Sequence, residues 1–159
     1  MPDTAIWKLC TYANNAWSQY FRGVDGYENV KVEEGYLKLR ACKDNGTYKN
    51  GGVFSKIGFP CGTRLEVKAR LTKLVRGGFP AIWQMPMGAP EWPRGGEIDL
   101  MEWVQGSPKQ IFQTVHTFYI NGENGSAGVT NKEADKNFDV TKDHVYAVQR
   151  TEKELIFYV

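Results

Sequence analysis

Residues 63–71 read TRLEVKARL, and the order of apolar and polar side chains in this stretch indicates the fold class. Leu65, Val67 and Ala69 alternate with charged residues, so that one face of an extended segment is apolar and the other is polar. A period of two residues is typical of a half-buried β-strand. The stretch therefore predicts a strand that packs one face against a hydrophobic core.

Similar short extended patterns recur along most of the chain. Further predicted strands cover residues 36–41, 53–55, 81–84, 97–104, 111–119, 145–150 and 155–159. Clusters of Gly, Pro, Asn and Asp separate these segments, and no long stretch sustains a helical stripe. These features predict an all-β fold, an antiparallel sandwich or barrel, in a single domain that spans residues 1–159.

The composition is that of a globular domain. Hydrophobic residues make up 42% of the 159 residues, which is enough for a core. The 20 Lys and Arg side chains against 18 Asp and Glu leave a formal net charge of +2, so no basic surface for nucleic acid is expected. No apolar run approaches the roughly 18 residues that a membrane-spanning helix needs. Nucleic-acid binding and a membrane span are therefore not expected.

Compartment and redox state stay open in the sequence. The three cysteines, Cys10, Cys42 and Cys61, are widely spaced and odd in number, which matches neither a disulfide framework nor a zinc pattern. Both one disulfide with one free thiol and three reduced thiols fit them. The first residues, MPD, lack the charged and then apolar profile of a signal peptide, so the chain is either cytosolic or has lost a leader.

Residues 95–103 read GGEIDLMEW and place three carboxylates close together on a predicted strand. Strict alternation puts Glu97 and Asp99 on one face and Glu102 on the opposite face. A single β-bulge between Asp99 and Glu102 adds one residue and returns Glu102 to the face of the other two. The spacing E-x-D-x-x-E is therefore predicted to place three acids on one face of a bulged strand.

Crowded carboxylates suit the chemistry of a retaining glycosidase. Repulsion and desolvation are expected to raise at least one apparent pKa, and such an enzyme needs an ionised nucleophile and a protonated acid about 5–5.5 Å apart. A solvated acidic strand and a calcium site are the alternatives. Aromatic neighbours favour a carbohydrate ligand, because sugar rings stack on aromatic planes. These neighbours are Phe79, Trp83, Trp92 and Trp103.

The acidic strand and its flanks resemble a known enzyme family. The segments GFPAIWQMP at 78–86, WPRGGEIDLME at 92–102 and TVH at 114–116 resemble glycoside hydrolase family 16. The similarity is greatest to its laminarinase and mixed-linkage β-glucanase branch. It extends over most of the chain and is weakest before Tyr36.

The resemblance implies a concanavalin A-like jelly roll with a glycan cleft on its concave face. It implies hydrolysis of internal β-1,3 or mixed β-1,3/1,4-glucan linkages with retention of configuration, through a glycosyl-enzyme intermediate. By position, Glu97 is the expected nucleophile, Glu102 the general acid/base and Asp99 the assisting carboxylate. A non-catalytic glycan-binding protein and a transglycosylase on the same scaffold are the alternatives.

Six residues outside the acid triad are expected to bind substrate. They are Trp83, Trp92, Arg94, Trp103, Gln113 and His116. Trp83 and Trp103 resemble sugar platforms, and Arg94 and Gln113 are candidates for contacts with sugar hydroxyls. His116 resembles a hydrogen-bonding cleft residue near the acid/base, and a purely structural histidine is its alternative.

The catalytic scheme that the resemblance implies requires no cofactor. Some relatives carry a structural calcium ion, which is compatible with this scheme, but the sequence offers no complete ligand set and no metal site is predicted. The expected partner is a β-glucan polysaccharide or oligosaccharide. Because such a polymer does not easily enter a cell, the resemblance implies an extracellular or cell-surface protein whose leader has been removed.

The resemblance also bears on the C-terminus. Family members extend past the hairpin that ends here at Val159. The expectation is therefore a catalytic domain that lacks its C-terminal strands or receives them from a second chain. A lone monomer of these 159 residues is expected to be poorly stable and inactive, because an unpaired last strand exposes an apolar edge.

Overall fold

A computed structural model describes residues 1–11, 18–21, 28–88, 91–104, 108–121, 129–131 and 138–159. These residues form short β-strands and one short helix. No helix in this part of the chain is long and apolar enough to cross a membrane. The chain divides into two compact units, Met1–Gly58 and Phe59–Val159.

The described residues of the unit Met1–Gly58 form two-stranded antiparallel sheets. Its strands are β1 (Trp7–Leu9), β2 (Val30–Glu33), β3 (Tyr36–Leu39), β4 (Ala41–Asp44), β5 (Thr47–Asn50) and β6 (Val53–Ser55). β2 pairs with β3, β4 pairs with β5, and β1 pairs with β6. The first two hairpins turn at Glu34–Gly35 and Asn45–Gly46, where both residues have positive φ angles, as type I′ turns require.

The unit Phe59–Val159 contains two larger sheets. Its elements are β7 (Arg64–Ala69), β8 (Ala81–Gln84), β9 (Glu97–Glu102), β10 (Phe112–His116), α1 (Phe118–Asn121), β11 (Val129–Asn131), β12 (His144–Arg150) and β13 (Leu155–Tyr158). One sheet has the strand order β11-β10-β9-β8 and the other has the order β13-β12-β7. All pairings in both sheets are antiparallel.

The two sheets of this unit share one hydrophobic core. Its buried members are Leu100, Met101, Trp103, Ile111, Phe138, Val140, Tyr146 and Val148. β9 and β12, from different sheets, contact each other, and Leu65 and Ala69 of β7 pack against the same core. Full burial of a side chain such as Leu100 contributes about 1.5–3 kcal/mol. The predicted antiparallel β-sandwich and the predicted orientation of β7 are confirmed.

The predicted strand over residues 111–119 is wrong at its C-terminal end. β10 stops at His116, and residues 118–121 form the single helical turn α1. His116 pairs with Glu97, the first residue of β9, and Val115 pairs with Val129, the first residue of β11. Among the described residues, no strand pairs with the backbone beyond His116, and the helical turn α1 forms there instead.

Candidate active site

The centre of the site is the bulge in β9. Asp99 pairs with Thr114 of β10, whereas Glu102 pairs with Phe112. β9 therefore advances by three residues over a stretch in which β10 advances by two. The pairing of β9 with β8 shifts at the same place. The predicted bulge between Asp99 and Glu102 is confirmed. Its residues are Leu100 and Met101, which are both buried in the core.

The bulge brings all three acids to one face of the sheet. Glu97, Asp99 and Glu102 pair with residues 116, 114 and 112 of β10, which succeed one another at a period of two. Residues at this period share one face of a strand, and directly paired residues of neighbouring strands also share a face. The three carboxylates therefore form one row, which we call the acid face.

Asp99 is the most deeply buried of the three acids, with 1% of its surface exposed. Burial raises the pKa of this carboxyl to about 8, and the negative charges of Glu102 and Glu97 and a hydrogen bond with Glu97 act in the same direction. At neutral pH Asp99 is therefore mostly protonated. A protonated Asp99 adds no negative charge to the row and can donate a hydrogen bond to Glu97.

Glu97 receives a second hydrogen bond from the loop before β9. The indole Nε1–H of Trp92 donates to Oε2 of Glu97 at 2.6 Å. A donor at this distance fixes the orientation of the carboxylate and offsets its negative charge. The substrate-binding role of Trp92 stays a prediction, and the structure adds a contact between Trp92 and the expected nucleophile that the sequence did not reveal.

Glu102 is half-buried at the other end of the acid face. Burial raises its pKa, and this effect outweighs a lowering by the hydroxyl of Thr114, which donates to Oε2 of Glu102 at 3.0 Å, and by His116. A carboxyl with a raised pKa keeps its proton closer to neutral pH, as a general acid must. Thr114 was part of the quoted TVH segment, but its contact with Glu102 was not predicted.

Solvent can reach four of the six expected substrate-binding residues, which are Trp83, Trp92, Arg94 and His116. Trp83 pairs with Asp99 and so shares the acid face, with 37% of its surface exposed. Trp92 and Arg94 are exposed, and the ring of Phe118 lies 4.0 Å from the guanidinium carbon of Arg94. Trp92, Arg94 and Phe118, together with Glu91 and Pro93, line a shallow depression of about 310 Å³.

His116 lies at the Glu97 end of the acid face. It pairs with Glu97, and its Nε2 is 3.5 Å from Oδ2 of Asp99. Its ring also lies 5.7 Å from that of Trp92, centroid to centroid. His116 also acts electrostatically on Glu102. Its expected position near the acid/base therefore agrees with the structure, which adds the expected nucleophile and the assisting acid as direct neighbours. Its role in the cleft stays a prediction.

The predictions for Trp103 and Gln113 are wrong. Trp103 is 3% exposed and belongs to the hydrophobic core, so its ring cannot form a sugar platform. It follows Glu102 directly, and alternation after the bulge sends it to the core face. Gln113 lies between Phe112 and Thr114 on the core side of β10, where its Nε2 donates to the carbonyl of Leu100 at 3.1 Å.

One group among the described residues could hold a metal ion. Glu97, Asp99 and His116 each offer one ligand atom, and these atoms lie within 4.8 Å of one another. This group was not predicted from the sequence, since the histidine is distant from the acids along the chain. The pairing of β10 with β9 brings them together.

The similarity of the chain to known proteins agrees with this geometry. The family model of glycosyl hydrolases family 16 matches residues 17–159. The chain belongs to this family. The resemblance inferred from the acid strand is thereby confirmed, and relatives from the laminarinase and β-glucanase branch support it further.

Two curated relatives act on different glycans. One is the keratan-sulfate endo-1,4-beta-galactosidase of Sphingobacterium multivorum, 29% identical over 99% of this chain and 38% of the relative. The other is the beta-glucanase of Rhodothermus marinus, 37% identical over 60% of this chain and 34% of the relative. The chain thus spans less than half the length of either relative.

Two solved structures share this fold. One, from work on endo-acting O-glycanases that prominent members of the human gut microbiota express to initiate mucin breakdown, is 98% identical with a TM-score of 0.93. It aligns with 99% of this chain, which spans 66% of that chain. The laminarinase of Rhodothermus marinus is 30% identical with a TM-score of 0.77, over all of this chain and 66% of its own. The jelly-roll prediction is confirmed.

Proposed function

We propose that the acid face belongs to a retaining, endo-acting glycosidase in which Glu97 is the nucleophile and Glu102 the general acid/base. The observation that carries this proposal is the different environment of three neighbouring carboxylates. Glu97 accepts a hydrogen bond from Trp92, while burial raises the pKa of both Glu102 and Asp99. Pairs of carboxyls whose environments separate their protonation states are what retaining glycosidases require.

In the first step, Glu102 gives its proton to the glycosidic oxygen while a carboxylate oxygen of Glu97 attacks the anomeric carbon. The carbon–oxygen bond to the leaving sugar breaks, and an ester to Glu97 forms. In the second step, the Glu102 carboxylate takes a proton from water, whose oxygen displaces Glu97 from the anomeric carbon. Both steps keep the proton of Asp99 in place, so its hydrogen bond to Glu97 persists. The scheme uses no cofactor.

For the substrate, we propose galactose-containing chains of O-linked glycans, cleaved at internal β-linkages. The support is the 98% identical structure from work on endo-acting O-glycanases and the likeness to a keratan-sulfate endo-1,4-beta-galactosidase over 99% of the chain. The work on the first relative concerns mucin, and the second is named for keratan sulfate. Because such polymers are found outside cells, we further propose that the protein works extracellularly or at the cell surface.

An internal β-1,3- or mixed-linkage glucan is the second candidate substrate. The Trp-Pro-x-Gly-Gly segment before Glu97 favours it, as do the likenesses to the beta-glucanase and the laminarinase of Rhodothermus marinus. The acid face serves either substrate, since the chemistry at the anomeric carbon is the same. The choice between them therefore depends on the residues around the acids.

A panel of polymers separates the two candidates. The chain, and in parallel the longer 98% identical protein, are incubated with mucin O-glycans, keratan sulfate, laminarin and barley mixed-linkage glucan. Products are identified by mass spectrometry. Oligosaccharides released only from mucin and keratan sulfate support the O-glycan proposal, and release only from the glucans refutes it. Binding without products indicates a glycan-binding protein, and products elongated on added acceptor sugars indicate a transglycosylase.

A further inference from the structure

Two carboxylates and one imidazole converge at the Glu97 end of the acid face. Glu97 and Asp99 lie two residues apart on β9, and His116 pairs with Glu97 from β10. One ligand atom from each lies within 4.8 Å of the other two. Antiparallel pairing fixes the backbone that carries these side chains, so a bound ion could contact all three without moving a strand.

A second observation, independent of the clustering, points to a cation. Oδ2 of Asp99 is buried and has no hydrogen-bond partner in the described part of the chain, although Asp99 is only 1% exposed. This atom faces His116, whose Nε2 is 3.5 Å away. A buried polar atom without a partner is costly, and a bound ion is one of the ways to satisfy it.

Glu97 keeps coordination capacity despite its contact with Trp92. The indole donates to Oε2. An ionised carboxylate has two oxygens and about four acceptor positions, so the hydrogen bonds with Trp92 and Asp99 leave about two positions available. The Trp92 hydrogen bond also fixes the plane of this carboxylate, as outer partners do for ligands in metal sites.

We propose that Glu97, Asp99 and His116 bind a zinc ion, and that this ion competes with substrate for the catalytic centre. Zinc takes imidazole nitrogen and carboxylate oxygen at about 2.0–2.2 Å, which puts tetrahedral ligands about 3.3–3.6 Å apart. The 3.5 Å between Nε2 of His116 and Oδ2 of Asp99 already meets this spacing. Calcium, which needs six to eight oxygen ligands, is poorly served by two carboxylates and an imidazole.

The consequence for activity rests on the proposed function. A zinc ion on Glu97 engages the electron pair that would otherwise attack the anomeric carbon. Three protein ligands leave the fourth zinc position for water, and that water lies on the acid face where a sugar would bind. Zinc is thus expected to inhibit hydrolysis reversibly, and a chelator is expected to restore it.

Zinc binding is tested by calorimetric titration of the chain with zinc chloride near neutral pH, with no glycan present. We expect one zinc per chain, and a Kd at least about tenfold weaker in His116→Gln. His144→Gln is the matched control, because His144 is the second of the two histidines and hydrogen-bonds to the backbone carbonyl of Asp139. Its Kd is expected to stay within about twofold of that of the parent chain.

The opposite results overturn the proposal. Zinc held by the free thiols of Cys10, Cys42 or Cys61 would leave the Kd unchanged in His116→Gln. Absence of one-to-one binding at millimolar zinc would overturn it as well. Thermal melting in the same buffer checks folding of each variant, and zinc is expected to raise the Tm of the parent and of His144→Gln but not of His116→Gln. If His116→Gln proves unfolded without zinc, Asp99→Asn takes its place, with the same expected loss of affinity.

Inhibition of hydrolysis by zinc is tested in an experiment separate from the binding titration. Zinc and then EDTA are added to the hydrolysis assay of the 98% identical protein on its best substrate. If no polymer is cleaved, the proposed function fails while calorimetry still decides whether zinc binds. If zinc binds and hydrolysis proceeds unchanged, the competition is refuted although the hydrolase assignment stands.

Discussion

The two faces of β9 show what one bulge separates. On the acid face, Glu97, Asp99 and Glu102 crowd three carboxyl groups into a partly desolvated row. On the core face, Leu100 and Met101 are almost completely buried among apolar side chains. The first arrangement costs folding free energy and the second supplies it. The same short strand therefore carries both the three carboxyl groups and buried apolar side chains whose packing offsets the free-energy cost of those carboxyl groups.

The comparison predicts that substitutions on the two faces separate activity from stability. A neutral, isosteric change on the acid face should remove activity and leave or improve the fold. A truncation on the core face should weaken the fold first. The bulge residues are the strictest test, since they lie between two acids in sequence yet point away from them.

The largest effect is expected for Glu97→Gln. The amide cannot attack the anomeric carbon, so kcat/KM on the best polymer should fall by roughly 10⁴-fold or more. The melting temperature should stay within a few degrees of that of the parent, since shape and the acceptor for Trp92 are kept. Glu66→Gln, at an exposed residue of β7, is the control and should keep full activity. Retained hydrolysis in Glu97→Gln would refute its assignment as nucleophile.

On the core face, Leu100→Ala is expected to destabilise the fold by about 2–5 kcal/mol. Leu100 is completely buried, and its removal leaves a cavity behind the acids. Denaturant unfolding measures the change, and Val104→Ala, at an exposed position just past β9, should change stability by less than about 0.5 kcal/mol. Equal effects of the two truncations would contradict the assignment of Leu100 to the core.

The sequence predicted the parts of this arrangement that follow from counting residues. The alternation of residues 63–71 gave the orientation of β7, and the E-x-D-x-x-E spacing required a bulge in a known place. β3 was found although all its side chains are exposed, whereas β1, β2, β4, β5 and β11 were missed. Strands of only three or four residues carry little periodic signal.

The errors at the site have one physical origin. Trp103 and Gln113 were assigned to the cleft from their residue types and from the resemblance, but the face of a side chain depends on strand register. Trp103 is the residue after Glu102, which the bulge returns to the acid face, so Trp103 points to the core. Gln113 lies between two residues of β10 that share the acid face, so it also points to the core. The contact of Trp92 with Glu97 joins a loop to β9, and that of His116 with Asp99 joins β10 to β9. No local pattern in the sequence predicts either contact.

A smaller effect on the acid face concerns stability and pH. The pKa of Asp99 is about 8 in the fold against about 3.8 in the unfolded chain, so the unfolded state loses its proton first as the pH rises. Asp99 therefore contributes stability that is present below about pH 4 and lost on approach to pH 8. Asp99→Asn avoids this loss, and its stability relative to the parent should grow by about 1–4 kcal/mol between about pH 5 and pH 8.

Chemical unfolding of both proteins across this pH range measures the difference. Asp139→Asn is the matched control, because hydrogen bonds from Thr141 lower the pKa of Asp139. Asp139 of the parent is ionised in both the folded and the unfolded state throughout this pH range. The stability of Asp139→Asn relative to the parent should therefore not change with pH. Parallel curves for Asp99→Asn and the parent would show that Asp99 is not held protonated by the fold.

The finest test of the acid face is Thr114→Val. The Thr114 hydroxyl donates to Oε2 of Glu102 at 3.0 Å and lowers its pKa, against the larger raising effect of burial. Valine keeps the shape and removes the donor, so the pKa of Glu102 should rise and the alkaline limb of kcat/KM should move up by about one pH unit or less. The acid limb should stay in place. Thr114→Ser restores a hydroxyl and should restore the parent profile, whereas a purely structural role would lower kcat/KM equally at every pH and leave both limbs where they are.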